Sequence, residues 1–96
     1  MKYQLSAKAR SDIRAIYRES IRQFGPAQAN RYYDGIQSAF AVLTTFPGAG
    51  PERAELSPGI RVYASGSHLI VYRALDDRIL IVAVRHGRED WLPSSD

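Results

Sequence analysis

The 96-residue sequence predicts a single α+β domain covering residues 1–96, with the element order β-α-α-β-β-β. Apolar residues recur at steps of three and four in the first half, which is typical of amphipathic helices. The second half is rich in valine, isoleucine and tyrosine around two short turn signals, which favours an antiparallel meander. We therefore expect an N-terminal strand and an antiparallel helix hairpin packed on one face of a small antiparallel sheet.

The helical half begins after a short alternating segment, residues 2–5, which suits a strand. Ser6 is a good N-cap for a helix over residues 7–24. Gly25-Pro26 interrupts the pattern, because glycine commonly ends a helix and proline is favoured at the first position of the next. The second helix is predicted from about Pro26 to Phe46, and so short a turn makes the two helices an antiparallel hairpin.

A loop rich in proline and glycine, residues 47–59, leads into three predicted strands. The strands are residues 60–65, 68–75 and 79–86, joined by two-residue turns at Gly66-Ser67 and Asp76-Asp77. These turns fix a register. The paired positions are Ser65 with His68, Tyr63 with Ile70, Arg61 with Tyr72, Tyr72 with Ile81, and Ile70 with Ala83.

This register sorts the strand residues onto two faces, of which one layer of helices can cover only one. The nearly aliphatic face is expected under the helix hairpin, and its members are Ile60, Val62, Ala64, Leu69, Val71, Leu80, Val82 and Val84. The other face is expected to be either partly exposed or covered by something else, and its members are Arg61, Tyr63, His68, Ile70, Tyr72, Ile79, Ile81, Ala83 and Arg85. Such a surface suits RNA or a peptide, although it is also compatible with an ordinary half-solvated sheet face.

Composition narrows the class of protein. No apolar run approaches the ~20 residues of a membrane span, and the N-terminus lacks the apolar stretch of a signal peptide, so we expect a cytoplasmic location without membrane contact. The absence of cysteine excludes disulfides and thiolate metal sites. Only two histidines are present, without a carboxylate cluster, so we expect neither a metal nor another cofactor.

Positive charge is concentrated in the first part of the chain. Residues 1–36 hold seven Lys/Arg against three acids, giving +4, whereas residues 37–96 hold six against seven, giving −1. An arginine ladder at four-residue spacing carries most of this charge, and its members are Arg10, Arg14, Arg18 and Arg22. The ladder is either a solvated helix face or a surface for an acidic partner. A further segment, residues 85–90, flanks His86 with arginines, where it could act as a general acid or base, or simply end a strand.

Seven local motifs in this order resemble the ParE/RelE toxin superfamily of bacterial type II toxin–antitoxin systems, and within it the ParE branch. They are Leu5-Ser6-x-Lys8-Ala9-x-x-Asp12-Ile13, Tyr17 with Phe24-Gly25, Gln28-Ala29-x-Arg31-Tyr32, Phe46-Pro47 to Gly50, Glu55-Leu56-x-Pro58-Gly59-Ile60-Arg61, Ser67-His68-x-Ile70-x-Tyr72, and Val84-x-His86-x-Arg88-x-Asp90. They cover almost the whole chain.

The resemblance implies a non-catalytic toxin that inhibits DNA gyrase by protein–protein contact. It also implies a cognate ParD-like antitoxin, whose acidic flexible C-terminal segment neutralises the toxin. On this basis the toxin contacts DNA only through the antitoxin. The antitoxin-binding residues expected on this basis are Ile13, Arg14, Ile16, Tyr17 and Tyr72. The target-facing residues expected are Arg85, His86, Arg88 and Trp91.

Two alternatives stay open at this point. A RelE-type, ribosome-dependent endoribonuclease of messenger RNA would use His86, Arg61, Arg85 and Tyr63. Against it, Gly87 follows His86 where such enzymes often carry an aromatic residue, and the sheet is almost without lysine. The other alternative is an RNA- or peptide-binding module without toxicity.

Overall fold

A computed structural model describes residues 1–87 of the chain. Its elements are β1 (Lys2–Leu5), α1 (Ala7–Phe24), α2 (Pro26–Thr45), β2 (Arg61–Ser65), β3 (His68–Ala74) and β4 (Arg78–His86). The predicted α+β class and element order are confirmed. In this part of the chain, no helix combines the length and apolar character that a membrane span requires. The expectations for Arg88 and Trp91 lie outside the described residues.

The four strands form one sheet in the order β1-β4-β3-β2. Strands β2, β3 and β4 are the predicted antiparallel meander, and all three register pairs predicted between β2 and β3 are confirmed. Strand β1, whose place in the sheet the sequence left open, pairs parallel with β4, with Gln4 beside Leu80. The complete sheet is therefore mixed, with β1 and β2 at its edges.

The predicted assignment of the two sheet faces is wrong. The helix hairpin covers the face with the larger side chains, and these join Phe40 of α2 in the main core: Ile70, Tyr72, Ile79 and Ile81. The aliphatic face lies on the far side, where a smaller cluster is buried with Leu56 of the loop: Ile60, Val62, Val71 and Ala83. The far face is thus covered in part, since Leu69 and Val82 beside this cluster are only partly buried.

An irregularity in β4 accounts for a second difference. In β3, Val71 pairs with Ala83 of β4. Its neighbour Tyr72 pairs with Ile81, so Val82 is an extra residue that forms a β-bulge. The predicted pairing of Ile70 with Ala83 is therefore wrong.

The bulge shifts the last part of β4 by one position. Ile70 pairs with Val84 instead of Ala83, and Val84 joins the core under the helices. Because side chains alternate along a strand, His86 shares the helix-facing side with Val84, and Arg85 points to the opposite side.

The beginning of α1 satisfies the backbone groups around this bulge. The Ser6 hydroxyl caps the helix by accepting from the Ala9 N–H at 2.9 Å, and it donates to the Val82 carbonyl at 2.8 Å. One turn later, the Asp12 carboxylate accepts from the Val84 N–H at 3.0 Å. These bonds fix α1 against β4 and pair groups that would otherwise be buried without partners.

The loop after α2 is held by side chains of the sheet. The Tyr72 hydroxyl donates to the Pro47 carbonyl at 2.8 Å and accepts from the Gly50 N–H at 2.9 Å. The Arg61 guanidinium donates to the Gly50 carbonyl at 2.8 Å. A Cβ at Gly50 would lie 2.6 Å from the Val62 carbonyl oxygen, so only glycine allows this close approach.

Replacing Asp12 by alanine leaves the part-buried Val84 N–H without an acceptor, and we expect a loss of about 1–3 kcal/mol in the free energy of unfolding. Lys8→Ala is the matched control, because it removes only the exposed ion pair that Lys8 makes with Asp12, which is worth about 0–1 kcal/mol. Urea denaturation measures both. Equal losses for the two variants would contradict the role given to the Val84 bond.

Tyr72→Phe removes the hydroxyl that joins the loop to β3, and we expect it to cost about 1–3 kcal/mol of unfolding free energy because the buried Gly50 N–H loses its acceptor. Tyr63→Phe is the control on the same sheet face, and its expected change is within about 0.5 kcal/mol. Thermal or urea unfolding separates the two. A Tyr72→Phe protein as stable as the Tyr63→Phe protein would show that packing alone holds the loop.

Candidate functional site

An open groove of about 750 Å³ runs between α1 and α2 and reaches the end of β1. Its lining residues are Leu5, Arg10, Ile13, Arg14, Tyr17, Arg18, Asn30, Tyr33 and Gln37. We call this surface the hairpin groove. It combines apolar and aromatic side chains with three members of the arginine ladder.

The charge in the hairpin groove is not neutralised within the described part of the chain. Arg10, Arg14 and Arg18 are exposed and make no ion pair among residues 1–87. Arg22, the fourth member of the ladder, lies outside the groove lining and pairs with Glu19. Its hydrogen bond lowers the pKa of the Glu19 carboxyl. The groove therefore presents three guanidinium groups to an anionic ligand.

The apolar side of the hairpin groove is preformed. Ile13 is half-buried and packs against the main core. The Tyr17 hydroxyl donates to Asn30 Oδ1 at 2.6 Å, and the Tyr17 ring meets the Tyr33 ring edge-on at 6.1 Å. These contacts tie α1 to α2, so little ordering is left for a ligand to impose on the groove.

The five residues that the sequence assigned to antitoxin binding do not all lie on one surface. Ile13, Arg14 and Tyr17 line the hairpin groove together. Ile16 lies on the other side of α1, half-buried. The expectation that Tyr72 lies on an exposed face is wrong, because its side chain is 0% exposed and is fully engaged with the loop.

A second cavity, of about 680 Å³, lies where the helix hairpin meets the β2–β3 turn and the end of β4. We call it the histidine pocket. His68 and His86 are cross-strand partners in it, with ring centroids 5.1 Å apart, and the Tyr32 ring lies 4.8 Å from that of His68. Burial raises the pKa of the Tyr32 hydroxyl. No lysine or arginine is among the described residues that line this pocket.

The residues suggested for a nuclease are not brought together. Arg61 pairs with Tyr72, four positions along β3 from His68, which corresponds to about 13 Å of strand. Its guanidinium is engaged with the loop. Tyr63 is half-buried and packs against the core.

Arg85 is separated from the histidine pocket in another way, since it lies on the opposite face of the sheet from His86. Of the four suggested residues, only His86 lines the pocket. Among residues 1–87 no group of three or more His, Cys, Asp or Glu is placed to hold a metal ion.

Sequence reasoning missed several members of the hairpin groove. Arg10 and Arg18 belonged to the ladder but were not assigned to antitoxin binding. Tyr33 of α2 was not named as a candidate, yet it is 40% exposed and lines the groove. Leu5 and Gln37 come from different elements, so no local spacing connects them to the groove. The one signal available in the sequence for these missed groove residues was Tyr33, an aromatic residue close to the basic helix α1.

Comparison with known proteins agrees with this fold. The family described as the ParE toxin of type II toxin–antitoxin systems matches residues 3–91. Toxin ParE1 of Caulobacter vibrioides is 34% identical over 84 residues, covering 88% of this chain and 86% of that protein. Toxin ParE of Escherichia coli is 33% identical over 92 residues, covering 94% and 88%.

Two solved structures share the architecture. A chain of the chromosomal ParDE toxin–antitoxin system of P. aeruginosa superposes with a TM-score of 0.77 at 23% identity, covering 90% of this chain and 95% of that one. A chain of the RelBE2 toxin–antitoxin complex of Mycobacterium tuberculosis gives 0.61 at 24% identity, covering 88% and 95%. The family match and the relatives above 30% identity together show that the chain belongs to the ParE family of type II toxin–antitoxin toxins.

Proposed function

We propose that this ParE-family toxin inhibits DNA gyrase by protein–protein contact in the bacterial cytoplasm. A cognate ParD-like antitoxin neutralises it by laying an acidic segment in the hairpin groove. The observation that carries the proposal is the groove itself, which places three arginines that make no ion pair among residues 1–87 beside a preformed apolar floor. Such a surface fits a peptide with one apolar face and one acidic face.

The spacing of the arginines favours an extended partner segment over a single anion. Successive ladder positions are separated by four residues, which is about 6 Å along the α1 axis. Three guanidinium groups therefore follow some 12 Å of the groove, as far as several residues of a bound segment extend. Arginine pairs bidentately with carboxylates, which adds geometric selection to the attraction.

Inhibition by contact is favoured over RNA cleavage by the separation of the nuclease candidates. Arg61 holds the loop, Arg85 lies on the other face of the sheet, and no lysine or arginine is among the described residues that line the histidine pocket. RNA cleavage there would need cationic side chains to bind phosphates and stabilise the developing negative charge. The residues proposed to face gyrase remain those at the end of β4 and after it, namely Arg85, His86, Arg88 and Trp91, with Arg85 and His86 on opposite faces of the strand.

Charge reversal in the groove tests antitoxin binding. Arg14→Glu replaces attraction by repulsion, and we expect the Kd for the antitoxin encoded with the chain to rise about tenfold or more. Arg22→Glu is the matched control on the same helix, because Arg22 lies outside the groove lining. Isothermal titration at two salt concentrations measures both, and the effect of Arg14→Glu is expected to shrink at high salt. Equal Kd values for the two variants would remove the groove from the antitoxin interface.

Supercoiling assays with purified gyrase test the target. We expect the toxin to inhibit supercoiling without cutting translated messages, and His86→Ala to weaken inhibition by less than about tenfold because it removes one contact. A nuclease that uses His86 as acid or base would lose about 10²–10⁴-fold in cleavage. Codon-linked cuts together with normal supercoiling would overturn the gyrase proposal in favour of the endoribonuclease.

A further inference from the structure

The second half of α2 exposes a face without charge. From Gly35 to Phe46 the sequence contains neither an acidic nor a basic residue. Two large apolar side chains lie open to solvent in this stretch, with Val42 36% and Phe46 64% exposed. We call this surface the outer face of α2, and its members, all exposed and spaced by three or four residues, are Arg31, Gly35, Ser38, Val42 and Phe46. An exposed apolar surface bordered by polar residues is typical of an interaction site.

Gly35 has no role within the chain's own fold that would explain a glycine there. Inside a helix, glycine is less favourable than any residue except proline. Its φ is not positive, and apart from the surrounding backbone of α2 no atom of residues 1–87 lies within 4 Å of the position that a Cβ would take. Gly35 therefore leaves an open notch in the outer face of α2, where a side chain of another molecule can approach the backbone closely.

The outer face of α2 is complementary to a second copy of itself. The two copies match when their α2 helices run antiparallel with a two-fold axis close to Ser38. Gly35 of one copy then lies opposite Val42 of the other, so the exposed Val42 side chain fills the notch. Arg31 lies opposite Phe46, where its guanidinium can stack on the aromatic ring. Because a two-fold interface is isologous, each of these contacts is made twice.

Charge favours the antiparallel direction over the parallel one. Arg31 donates a hydrogen bond to Gln28 Oε1 at 2.7 Å but makes no ion pair among residues 1–87. The last turn of α2 contains no basic residue to meet the partial negative charge at the helix C-terminus. In the antiparallel pair, Arg31 of each copy supplies that charge to the other. A parallel pair would instead place the two Arg31 side chains together, where they repel.

From this complementarity we infer that the outer face of α2 is the interface of a symmetric, antiparallel dimer of the toxin. The face extends from Arg31 to Phe46, which is about 22 Å along the helix. A helix pair of this length buries about 1,000 Å² in total, at the low end of specific interfaces. The dimer is therefore weak, and we expect a dissociation constant of about 10–100 μM.

The dimer leaves both hairpin grooves open. Tyr33, which lines the groove, is nine residues from Val42, so the two side chains lie two and a half turns apart on opposite sides of α2. Two antitoxin segments can therefore bind one toxin dimer. The inference goes beyond the proposed function and does not depend on it, since dimerisation is measured on the free toxin.

Cross-linking of single cysteines tests the interface and its direction, because the chain has no cysteine of its own. Ser38→Cys places a thiol close to the two-fold axis, and we expect a short bismaleimide to join two copies through it. Thr45→Cys is the matched control on the same helix. In the antiparallel dimer, position 45 is about 20 Å from its counterpart, so we expect no cross-link. Equal yields at the two positions, or a higher yield at position 45, would overturn the inference.

Sedimentation equilibrium gives a second readout. Val42→Glu places a carboxylate against the Gly35 notch, and we expect it to raise the dimer Kd at least tenfold. Gln37→Glu is the matched control, because it adds the same charge on the groove side of α2, and we expect a change of less than about twofold. Gly35→Ala fills the notch while improving the helix, so we expect a higher Tm together with a weaker dimer. A merely structural role for Gly35 would not move these two quantities in opposite directions.

The remaining outcomes are also decisive. If the unmodified toxin sediments as a monomer at about ten times the expected Kd, the inference is wrong. If it forms a dimer that Val42→Glu leaves unchanged, another surface joins the copies and the outer face of α2 is not the interface. Failure of the antitoxin or gyrase assays would overturn the proposed function and leave these measurements on the free toxin unaffected.

Discussion

The junction between α1 and the bulge in β4 is the interaction on which the rest of the structure depends. The extra residue Val82 turns backbone groups of β4 out of the ladder. The Ser6 hydroxyl then donates to the Val82 carbonyl, and the Asp12 carboxylate accepts from the Val84 N–H. Ser6 simultaneously caps the helix and meets the bulge, so the direction in which α1 leaves β1 is set by the same contact that secures it to the sheet. Without these partners the bulge would leave buried backbone groups unpaired.

This junction positions both candidate surfaces. With α1 held at β4, one side of the helix borders α2 and β1, and the other side borders the end of β4 and the β2–β3 turn. The first side carries Arg10, Arg14 and Arg18, and the second carries Ile16 and the histidine pair. A single helix therefore separates a groove lined by three arginines from a pocket that has no lysine or arginine among its described lining residues.

Two arginines of the sheet, Arg61 and Arg73, serve the fold more than a site. Arg61 donates to the Gly50 carbonyl, and Arg73 donates to the Pro58 carbonyl at 2.7 Å and to Ser57 Oγ at 3.1 Å. Each binds a loop that covers the far face of the sheet. A chain of this size buries a limited core. The aliphatic stems and guanidinium groups of these arginines shield parts of the sheet and loop that apolar residues do not cover. Assigning Arg61 to an RNA-binding surface from sequence therefore overstated its availability.

The sequence by itself determined the order and type of the elements, the Ser6 cap, the helix break at Gly25-Pro26 and the β2–β3 register, because periodicity, caps and two-residue turns are local signals. The resemblance also pointed to the family and to three of the nine residues that line the groove. Only the tertiary structure decided which face of the sheet the helices cover and where Tyr72 lies. A strand pattern of period two defines two faces without saying which meets the helices, and one bulge reverses the alternation beyond it. Leu5, Gln37 and the arginines of α1 likewise become one surface only when β1 pairs with β4, a contact between segments more than seventy residues apart.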